Sequence, residues 1–509
     1  NNKVNKIINS ITIVGGGSTG WITAAHLSKN LPSNVDITLI ASSKIGTIGV
    51  GEGTQPFTTA FLQECGLQPW DWMKDSDATF KLGVEFVGWS DNPIFIDNDT
   101  QEMAVLGPGI MMHDYVLGKN ISKKDFANWT PSYRLAKENK SPKCGDPRLD
   151  FTQGYTSLPW DAYHFNADRL GEVLKKSCID KVKYIDDLVT NIETDDNGIA
   201  FLETEHNGLL ISDLYIDATG FKSMLLEGAL GEEFDSLEDT LLCNRAIAIP
   251  TQYKDKEQEM HPYTKSIAMK SGWRWAIPTF SRIGNGYVYS DKYCTPEEAE
   301  QELRESIGDF DTPANHIKMK TGTHKNIAIK NVYATGLAAA FAEPLEATGI
   351  TFSTKGVQNL TSALLNNNMQ YNEKVAKWLS DEYHMQVNEI VDFIFLHYHL
   401  APKNDTPFWK AVHEIDIPTT TQSILDKFVN SPPHHLTEKP LFTMFHVGQW
   451  FELIHGFGAY DNEPLGKEVQ FDINIENYGD IMWETYTSRT DKEIELFPNH
   501  YKYLRDFYQ

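Results

Sequence analysis

The sequence predicts an α/β protein in which a nucleotide-binding core is combined with a mostly helical C-terminal part. Residues 7–14 form an apolar run rich in β-branched side chains, which is typical of a buried strand. The run leads directly into Gly15-Gly16-Gly17-Ser18-Thr19-Gly20, and residues 21–31 follow with helical spacing. Strand, glycine turn and helix in this order favour a dinucleotide site over the alternative, a glycine turn without a ligand. Residues 370–509 are rich in aromatic side chains and are expected to be mostly helical.

The glycine turn satisfies the pattern G-x-G-x-x-G at positions 15, 17 and 20. Glycines let the backbone approach a pyrophosphate, and the N-terminus of the following helix favours its negative charge. Residues 36–40 supply a second strand and complete a βαβ unit, but no acidic residue follows it to hold a ribose diol, which weakens a simple NAD interpretation. The cofactor contacts predicted in this unit are Gly15, Gly17, Ser18, Thr19, Gly20, Ala41 and Ser42.

Two further glycine-rich segments are candidates for the same cofactor site. Residues 48–54 read Ile-Gly-Val-Gly-Glu-Gly-Thr, which taken alone is only a flexible loop. Residues 331–336 form a second junction between a strand and a glycine. The contacts predicted here are Gly49, Gly51, Glu52, Thr335 and Gly336.

An aromatic segment, Ser271-Gly272-Trp273-Arg274-Trp275-Ala276-Ile277-Pro278, stands out from the rest of the chain. On an extended strand residues i and i+2 point to the same side, so Trp273 and Trp275 are expected to form one flat aromatic wall. Pro278 is expected to end the regular pairing. Such a wall could line a channel; the alternative is that both indoles only pack a sheet against helices.

Lys81 lies between apolar neighbours in Thr79-Phe80-Lys81-Leu82-Gly83. A lysine in this setting is usually a surface residue whose stem covers apolar groups. If it is buried, its amine is more readily neutral, and therefore nucleophilic or a good donor. On this residue alone the surface alternative is favoured.

The segment Pro344-Leu345-Glu346-Ala347-Thr348-Gly349-Ile350 precedes a helix predicted over residues 350–365. Backbone amides at Thr348 and Gly349 would make an anion site at the start of this helix. Glu346 is either an acid stabilised by the helix dipole or a catalytic base. Pro344, Gly349 and Ile350 are also predicted to contact the cofactor.

Composition excludes several functional classes. The formal net charge of −25 over 509 residues argues against a nucleic-acid partner, which needs clustered basic side chains. Five scattered cysteines without a CxxC pattern indicate free thiols in a reducing cytoplasm. No apolar run is long enough to cross a membrane, and the N-terminus lacks the features of a signal peptide.

Taken together, these motifs resemble the flavin-dependent halogenases of the tryptophan-halogenase type. The resemblance is carried by the glycine turn, the loop 49–54, the lysine segment 80–83, the W-x-W-x-I-P stretch at 273–278 and the segment 344–349. It implies an FAD-binding Rossmann-like core of the glutathione-reductase/monooxygenase type over residues 1–110 and 166–365. Residues 111–165 and 366–509 are then expected to form a mostly helical subdomain that covers a small aromatic substrate.

The resemblance also implies a mechanism. A separate flavin reductase supplies reduced FAD (FADH2), and a halide near Thr348 and Gly349 is oxidised to hypohalous acid. The acid travels through a dry passage to Lys81, which holds it by hydrogen bond or as a haloamine while the arene is halogenated. Glu346, expected in the same chamber, polarises the oxidant or takes the proton. Trp273, Trp275 and Pro278 would keep the substrate from the flavin.

The chain departs from the pattern in the aromatic segment 442–460, to which Trp450 belongs as a predicted substrate contact. Family members that take free tryptophan carry paired tyrosines there, and this chain does not. A simpler indole or a phenol is therefore expected, whereas regiochemistry, halide preference and homo-oligomer formation stay open. Two alternatives remain: a flavin monooxygenase that hydroxylates its substrate directly, and a flavoprotein that binds FAD without catalysis.

Overall fold

The computed structural model describes residues 6–45, 51–98, 105–107, 110–122, 125, 130–155, 161–430, 444–459 and 473–509. The chain divides into two compact units. The first unit comprises Asn1–Ala78, Phe165–Leu241 and Lys318–Asn388, and the second comprises Thr79–His164, Leu242–Ile317 and Glu389–Gln509. Each unit is therefore assembled from three separate stretches of chain.

A six-stranded sheet forms the centre of the first unit. Its strands run parallel except the last, which pairs antiparallel at one edge. The register between Ser10–Val14 and Asp36–Ala41, with the helix Ser18–Asn30 between them, confirms the predicted βαβ unit. The strand order is Lys183–Asp186, Asp36–Ala41, Ser10–Val14, Leu214–Asp217, Val332–Ala334 and Ala328–Ile329.

Side chains alternate along residues 182–216 with a turn at 195–198, which predicts one small antiparallel sheet, and the structure differs in part. The middle of the segment does form such a sheet, from Val189–Asp195, Gly198–Thr204 and Leu209–Leu210. Its two ends, Lys183–Asp186 and Leu214–Asp217, instead join the parallel sheet. The strand Leu214–Asp217 is buried along its whole length, which suits the middle of a sheet covered on both faces.

The remaining elements of the first unit are short strands and the helices around the sheet. Asn166 begins the helix Ala167–Cys178 by accepting a hydrogen bond from the Arg169 amide, as expected for an N-cap. The helices are Ser18–Asn30, Phe57–Glu64, Pro69–Trp72, Ala167–Cys178 and Gly349–Asn366, followed by Glu373–Leu400, which continues into the second unit. The short strands include Lys6–Ile7, Gly51–Gly53, Phe234–Ser236, Gly322–His324, Ala340–Phe341 and Gln370–Tyr371.

The second unit is built on a seven-stranded, mainly antiparallel sheet. Only the pairing of Thr264–Met269 with Gly83–Val87 is parallel among the registers of its described strands. The strand order is Asn315–Lys318, Arg245–Ala248, Ile283–Tyr289, Gly272–Pro278, Thr264–Met269, Gly83–Val87 and Ile94–Asp97. A separate antiparallel pair joins Thr79–Lys81 to Ala162–Asn166.

Helices supply most of the rest of the second unit, as predicted for the C-terminal part. Thr295 begins the acidic helix Pro296–Ile307. No helix of the described ranges is both long and apolar enough to cross a membrane. The helices are Met112–Gly118, Pro131–Lys137, Lys256–Glu259, Pro296–Ile307, Pro407–Glu414, Thr419–Asn430, Val447–Gly456, Ile473–Ile494 and His500–Phe507; two short strands, Val105–Gly107 and Ile110–Met111, pair with each other.

The observed units do not follow the same boundaries as the domains expected from the sequence. Residues 83–97 and 245–289, which the sequence groups with the FAD-binding core, contribute strands to the sheet of the second unit. The parallel pairing of Thr264–Met269 with Gly83–Val87 joins segments far apart in the chain, and such long-range pairing leaves no local signal.

Candidate active site

The glycine turn that follows the first strand has the geometry of a dinucleotide site. A Cβ at Gly15 would collide with the Ala218 carbonyl on the neighbouring strand, and Gly15 has a φ of +127°. A Cβ at Gly20 would collide with Gly15 itself, so the helix packs closely against the turn. A Cβ at Gly17 would meet nothing within 4 Å, which leaves the backbone at the helix N-terminus open to a phosphate.

A carboxylate from a neighbouring strand lies beside the end of the strand Asp36–Ala41, and the sequence pattern did not reveal it. Asp186 pairs in register with Ala41, and its two oxygens accept hydrogen bonds from the Ser43 amide and hydroxyl, each at 2.8 Å. These bonds hold the pKa of Asp186 below its ordinary value. The turn at Ser42 and Ser43 is therefore organised by an acid from the neighbouring parallel strand.

Residues from three separate segments meet at the glycine turn. The Thr19 hydroxyl lies 2.8 Å from the Ser353 hydroxyl, and a Cβ at Gly336 would come within 2.8 Å of the Thr19 side chain. The Gly336 amide donates to the Tyr383 hydroxyl at 3.0 Å. Thr19 and Gly336, both predicted cofactor contacts, are thus adjacent, whereas Ser353 and Tyr383 were missed because neither belongs to a glycine motif.

The second glycine-rich loop is described from Gly51 onward, and Gly49 lies outside the described residues. The Glu52 side chain is half-buried, but its carboxyl group is desolvated, which together with the negative charge of Asp168 raises the pKa of Glu52 to about 7. A Cβ at Gly349 would lie 3.8 Å from a Glu52 carboxylate oxygen. The loop therefore brings its acid to the start of the helix Gly349–Asn366.

Glu346 lies in the turn that leads into this helix. Residues Pro344–Glu346 form a short 3-10 turn, and Ala347 follows in the left-handed region with a φ of +57°. Glu346 is fully buried, and its carbonyl oxygen accepts a hydrogen bond of 2.6 Å from the Gln55 amide group. The polar segment Thr54–Gln55 thus fixes the backbone from which the carboxylate projects.

The start of the helix Gly349–Asn366 has the features of an anion site. Thr348 is its N-cap residue but makes no side-chain capping bond. The Thr348 and Thr351 hydroxyls are buried and have no hydrogen-bond partner among the described residues. Buried hydroxyls aimed at the first amides of a helix suit a small anion such as a halide.

Lys81 is buried, with 3% of its surface exposed, which excludes the surface alternative. Its strand pairs antiparallel with Ala162–Asn166 in the register Lys81 to Ala162, Phe80 to Tyr163 and Thr79 to His164. Residues directly opposite each other share a face, and so do residues two apart. Lys81 and Thr79 therefore share one face with Ala162 and His164.

The W-x-W-x-I-P stretch forms the strand Gly272–Pro278 as predicted, and Pro278 is its last paired residue. Trp273 and Trp275 are both buried on the same face. They do not form a flat wall, since their ring planes are inclined by 60° with centroids 6.3 Å apart. The Trp275 ring lies over Gly286 on the paired strand, where any Cβ would collide with it.

Trp450, the substrate contact predicted in the C-terminal part, is fully buried in the helix Val447–Gly456. Its ring packs against Phe393 and Phe428, with centroids 4.7 and 6.4 Å away. In the described ranges this helix therefore has a packed aromatic environment, and contact of Trp450 with a substrate stays a prediction.

The described site residues are distributed over both units. Glu346, Thr348 and the nucleotide turn belong to the first unit, whereas Lys81 and the two indoles of the aromatic strand belong to the second. Within the first unit the glycine turn, the loop at Glu52 and the helix start at Gly349 hold the predicted cofactor and halide contacts, and Glu346 is a buried acid next to that helix start. Within the second unit the strand pair supplies a buried amine. Their predicted meeting in one chamber stays a prediction.

Comparison with known proteins identifies the family. Residues 10–470 match the family model described as tryptophan halogenase. Tryptophan 6-halogenase SttH of Streptomyces toxytricini is 32% identical over 482 residues, which cover 89% of this chain and 90% of that protein. Tryptophan 7-halogenase RebH of Lentzea aerocolonigenes is 28% identical over 537 residues, or 98% of each chain.

Solved structures agree with this assignment. A tryptophan halogenase from Shewanella frigidimarina superposes with a TM-score of 0.88 at 26% identity, covering 99% of this chain and 98% of that one. Similar solved chains are described as flavin-dependent halogenases, and the shared architecture is an FAD-binding Rossmann-type α/β fold. The chain therefore belongs to the tryptophan halogenase family and is a flavin-dependent halogenase.

Proposed function

We propose that the protein uses reduced FAD, dioxygen and a halide to halogenate an electron-rich aromatic molecule of the indole or phenol type. Lys81 and Glu346 are its catalytic residues. When bound, reduced FAD would supply the electrons that activate dioxygen, and the activated oxygen would oxidise the halide to hypohalous acid. In the last step hypohalous acid and the arene give the haloarene and water, so that halogen replaces a ring proton.

The burial of Lys81 is the observation that carries this proposal. A buried amine can hold hypohalous acid, by hydrogen bond or as a haloamine, where little water competes with the substrate. On its own strand pair Lys81 shares a face with the Thr79 hydroxyl, the small Ala162 side chain and the His164 ring.

Glu346 is proposed to polarise the oxidant or to take the proton that leaves the arene carbon. Its complete burial supports this role, because a carboxylate in a dry setting interacts strongly with a developing positive charge. The bond from Gln55 to its carbonyl supports a fixed backbone at this position. The proton that Glu346 removes from the arene combines with the hydroxide that hypohalous acid releases. The last step is therefore balanced, with water as its second product.

The halide is proposed to bind at Thr348 and Gly349. The buried Thr348 hydroxyl and the first amides of the helix Gly349–Asn366 supply donors for a small anion. The Glu52 carboxyl group also lies close to Gly349, where a Cβ would be 3.8 Å from one of its oxygens.

FAD is proposed to lie along the three glycine segments of the first unit. The open backbone at Gly17 and the adjacency of Thr19 and Gly336 support this placement of a dinucleotide. A separate reductase is expected to supply the reduced cofactor. The proposed contacts are Gly15, Gly17, Ser18, Thr19, Gly20, Ala41, Ser42, Gly49, Gly51, Glu52, Thr335, Gly336, Pro344, Gly349 and Ile350.

Trp273, Trp275 and Pro278 are proposed to keep the aromatic substrate from the flavin, which suppresses direct hydroxylation. Burial of both indoles on one face of their strand supports a rigid aromatic surface. Relatives are named for halogenation of tryptophan at different ring positions, 6 and 7. Because this chain lacks the paired tyrosines of segment 442–460, we propose indole or a phenol rather than free tryptophan as its substrate.

The test is a reconstitution with FAD, a flavin reductase, dioxygen, bromide and indole, with free tryptophan as the competing substrate. Brominated indole of a single regiochemistry supports the proposal, since hypobromous acid free in solution gives a mixture. Hydroxylated indole would support a monooxygenase instead, and hydrogen peroxide as the sole product would support a non-catalytic flavoprotein.

Variants separate the two catalytic roles. Lys81→Ala is expected to abolish regioselective bromination while FAD binding, read from quenching of flavin fluorescence, is retained. If Lys81 and Glu346 act in the same step, the rate of regioselective bromination should fall no further in the double variant Lys81→Ala/Glu346→Gln than in the slower of the two single variants. Unchanged regioselective bromination by Lys81→Ala would refute the lysine role.

A further inference from the structure

His164 lies on the same face of the strand pair as the proposed catalytic lysine. It is fully buried and lies directly opposite Thr79, two residues before Lys81. Because opposite residues of an antiparallel pair share a face, the imidazole stands diagonally across from the Lys81 side chain. No motif of the sequence pointed to this histidine.

The hydrogen bonds of His164 define its tautomer. The Thr79 hydroxyl donates to the Pro278 carbonyl at 2.5 Å, so towards His164 Nδ1, at 3.3 Å, its oxygen can only accept. Nδ1 therefore carries the proton. Nε2 is then the acceptor, and the Thr264 hydroxyl donates to it at 2.7 Å. His164 thus links the lysine strand to the strands Thr264–Met269 and Gly272–Pro278.

The ring is held in its neutral form. Burial first, and then the charge of Lys81 and the neighbouring His500 ring, hold the pKa of His164 well below its ordinary value, against the opposing effect of the Pro278 carbonyl. A neutral ring keeps the donor and acceptor pattern described above. It also adds no second positive charge beside the amine.

We propose that His164 is a positioning residue for halogen transfer: between Thr79 and Thr264 it fixes the Lys81 strand against the end of the W-x-W-x-I-P strand. The inference rests on the proposed function of Lys81. Loss of the ring would leave two buried threonine hydroxyls without their shared partner and let the lysine strand shift. A shift of about 1 Å at a reacting group lowers turnover by about 10²-fold.

A second buried histidine, His500, hydrogen-bonds to this strand and provides a matched control. His500 Nε2 accepts a hydrogen bond from the Phe80 amide at 3.1 Å, and Nδ1 donates to the Met260 carbonyl at 2.8 Å. It is also fully buried, and its ring lies 6.0 Å from the Phe80 ring. His164→Phe and His500→Phe therefore remove the same ring chemistry from two partners of one strand, one bonded to the Thr79 side chain and one to the Phe80 amide.

The experiment compares steady-state bromination of indole by the wild type, His164→Phe, His164→Asn and His500→Phe, each corrected for the folded fraction. We expect His164→Phe to lower kcat by about 10²-fold with little change in KM. We also expect more hypobromous acid to leave the protein than in the wild type, which can be measured by adding a diketone that reacts with the free acid. His164→Asn retains a donor near the Nδ1 position and should recover about tenfold of the loss, and it serves in place of the phenylalanine variant if that one does not fold. His500→Phe should change kcat by less than about threefold.

Equal losses of kcat in His164→Phe and His500→Phe, or no recovery in His164→Asn, would overturn the positioning role. A Lys81→Ala sample run in the same assay separates this outcome from failure of the proposed function. If Lys81→Ala brominates like the wild type, the lysine role itself is wrong, whatever the histidine variants do.

Discussion

The strand Thr79–Lys81 has two buried faces that differ in chemistry. On the Phe80 face, aromatic rings pack together, with Phe80 centroids 5.7 Å from Tyr163 and 6.1 Å from Phe151. On the opposite face, Lys81 stands with Thr79, Ala162 and His164. One strand thus separates an aromatic cluster from a polar face that bears the proposed catalytic amine.

A second buried lysine makes the difference between the faces sharper. Lys143 adjoins the aromatic cluster, 5.7 Å from the Phe151 ring, and its ammonium lies 2.9 Å from the Asp161 carboxylate. Both side chains of this ion pair are almost fully buried. Removing one partner of a buried ion pair leaves an uncompensated charge, which is strongly destabilising. We therefore expect Lys143 to serve the fold, and we propose that Lys81 serves the reaction.

The largest effect expected from this comparison is on turnover. Lys81→Met should lower regioselective bromination by about 10³-fold or more while the unfolding midpoint changes little, because the group removed acts on the oxidant. Lys143→Met is its control, and its folded molecules should retain turnover within a few-fold. Comparable turnover losses in the two variants would contradict the division between the faces.

The next effect is on stability. Asp161→Asn leaves the buried Lys143 cation without its carboxylate, so the free energy of unfolding should fall by about 3–5 kcal/mol in urea titrations. The double variant Lys143→Met/Asp161→Leu should regain most of this loss, because no charge remains buried. A single-variant loss below about 1 kcal/mol would show that the pair has no structural role.

The third effect is a pH dependence of the free energy of unfolding, which arises from His500 next to Phe80. Burial lowers the pKa of His500 to about 4, whereas in an unfolded chain it lies near 6.5. Stability from the neutral ring is therefore complete above pH 6.5 and is lost as pH falls towards 4, by roughly 3 kcal/mol. Unfolding measured between pH 7 and pH 4.5 should show a smaller slope in His500→Phe than in the wild type. An identical slope would mean that His500 does not resist protonation.

The smallest effect concerns a single hydroxyl. The Tyr163 hydroxyl donates to the Asp161 carboxylate at 3.3 Å, so Tyr163→Phe should lower the free energy of unfolding by about 1 kcal/mol. Turnover should be unchanged, because Tyr163 points away from Lys81. A turnover loss above about tenfold would show that the aromatic face also contributes to the reaction.

Local patterns predicted much of the first unit correctly. The βαβ unit at residues 10–41 and the helix cap at Asn166 follow from neighbouring residues, so they are legible in the sequence. The ends of segment 182–216 join a different sheet from the one expected, because alternation of side chains does not name a strand's partner. The angle between the Trp273 and Trp275 rings could not be inferred from their spacing alone.

Motifs that span only a few positions were enough to indicate the family, the glycine turn and Lys81, Glu346 and Thr348 as residues worth testing. The burial of Lys81, and the bonds of His164, Thr264 and the Pro278 carbonyl beside its strand, emerged only from the fold. Sheet register between distant segments sets which side chains share a face. Periodicity along one segment carries no record of that pairing.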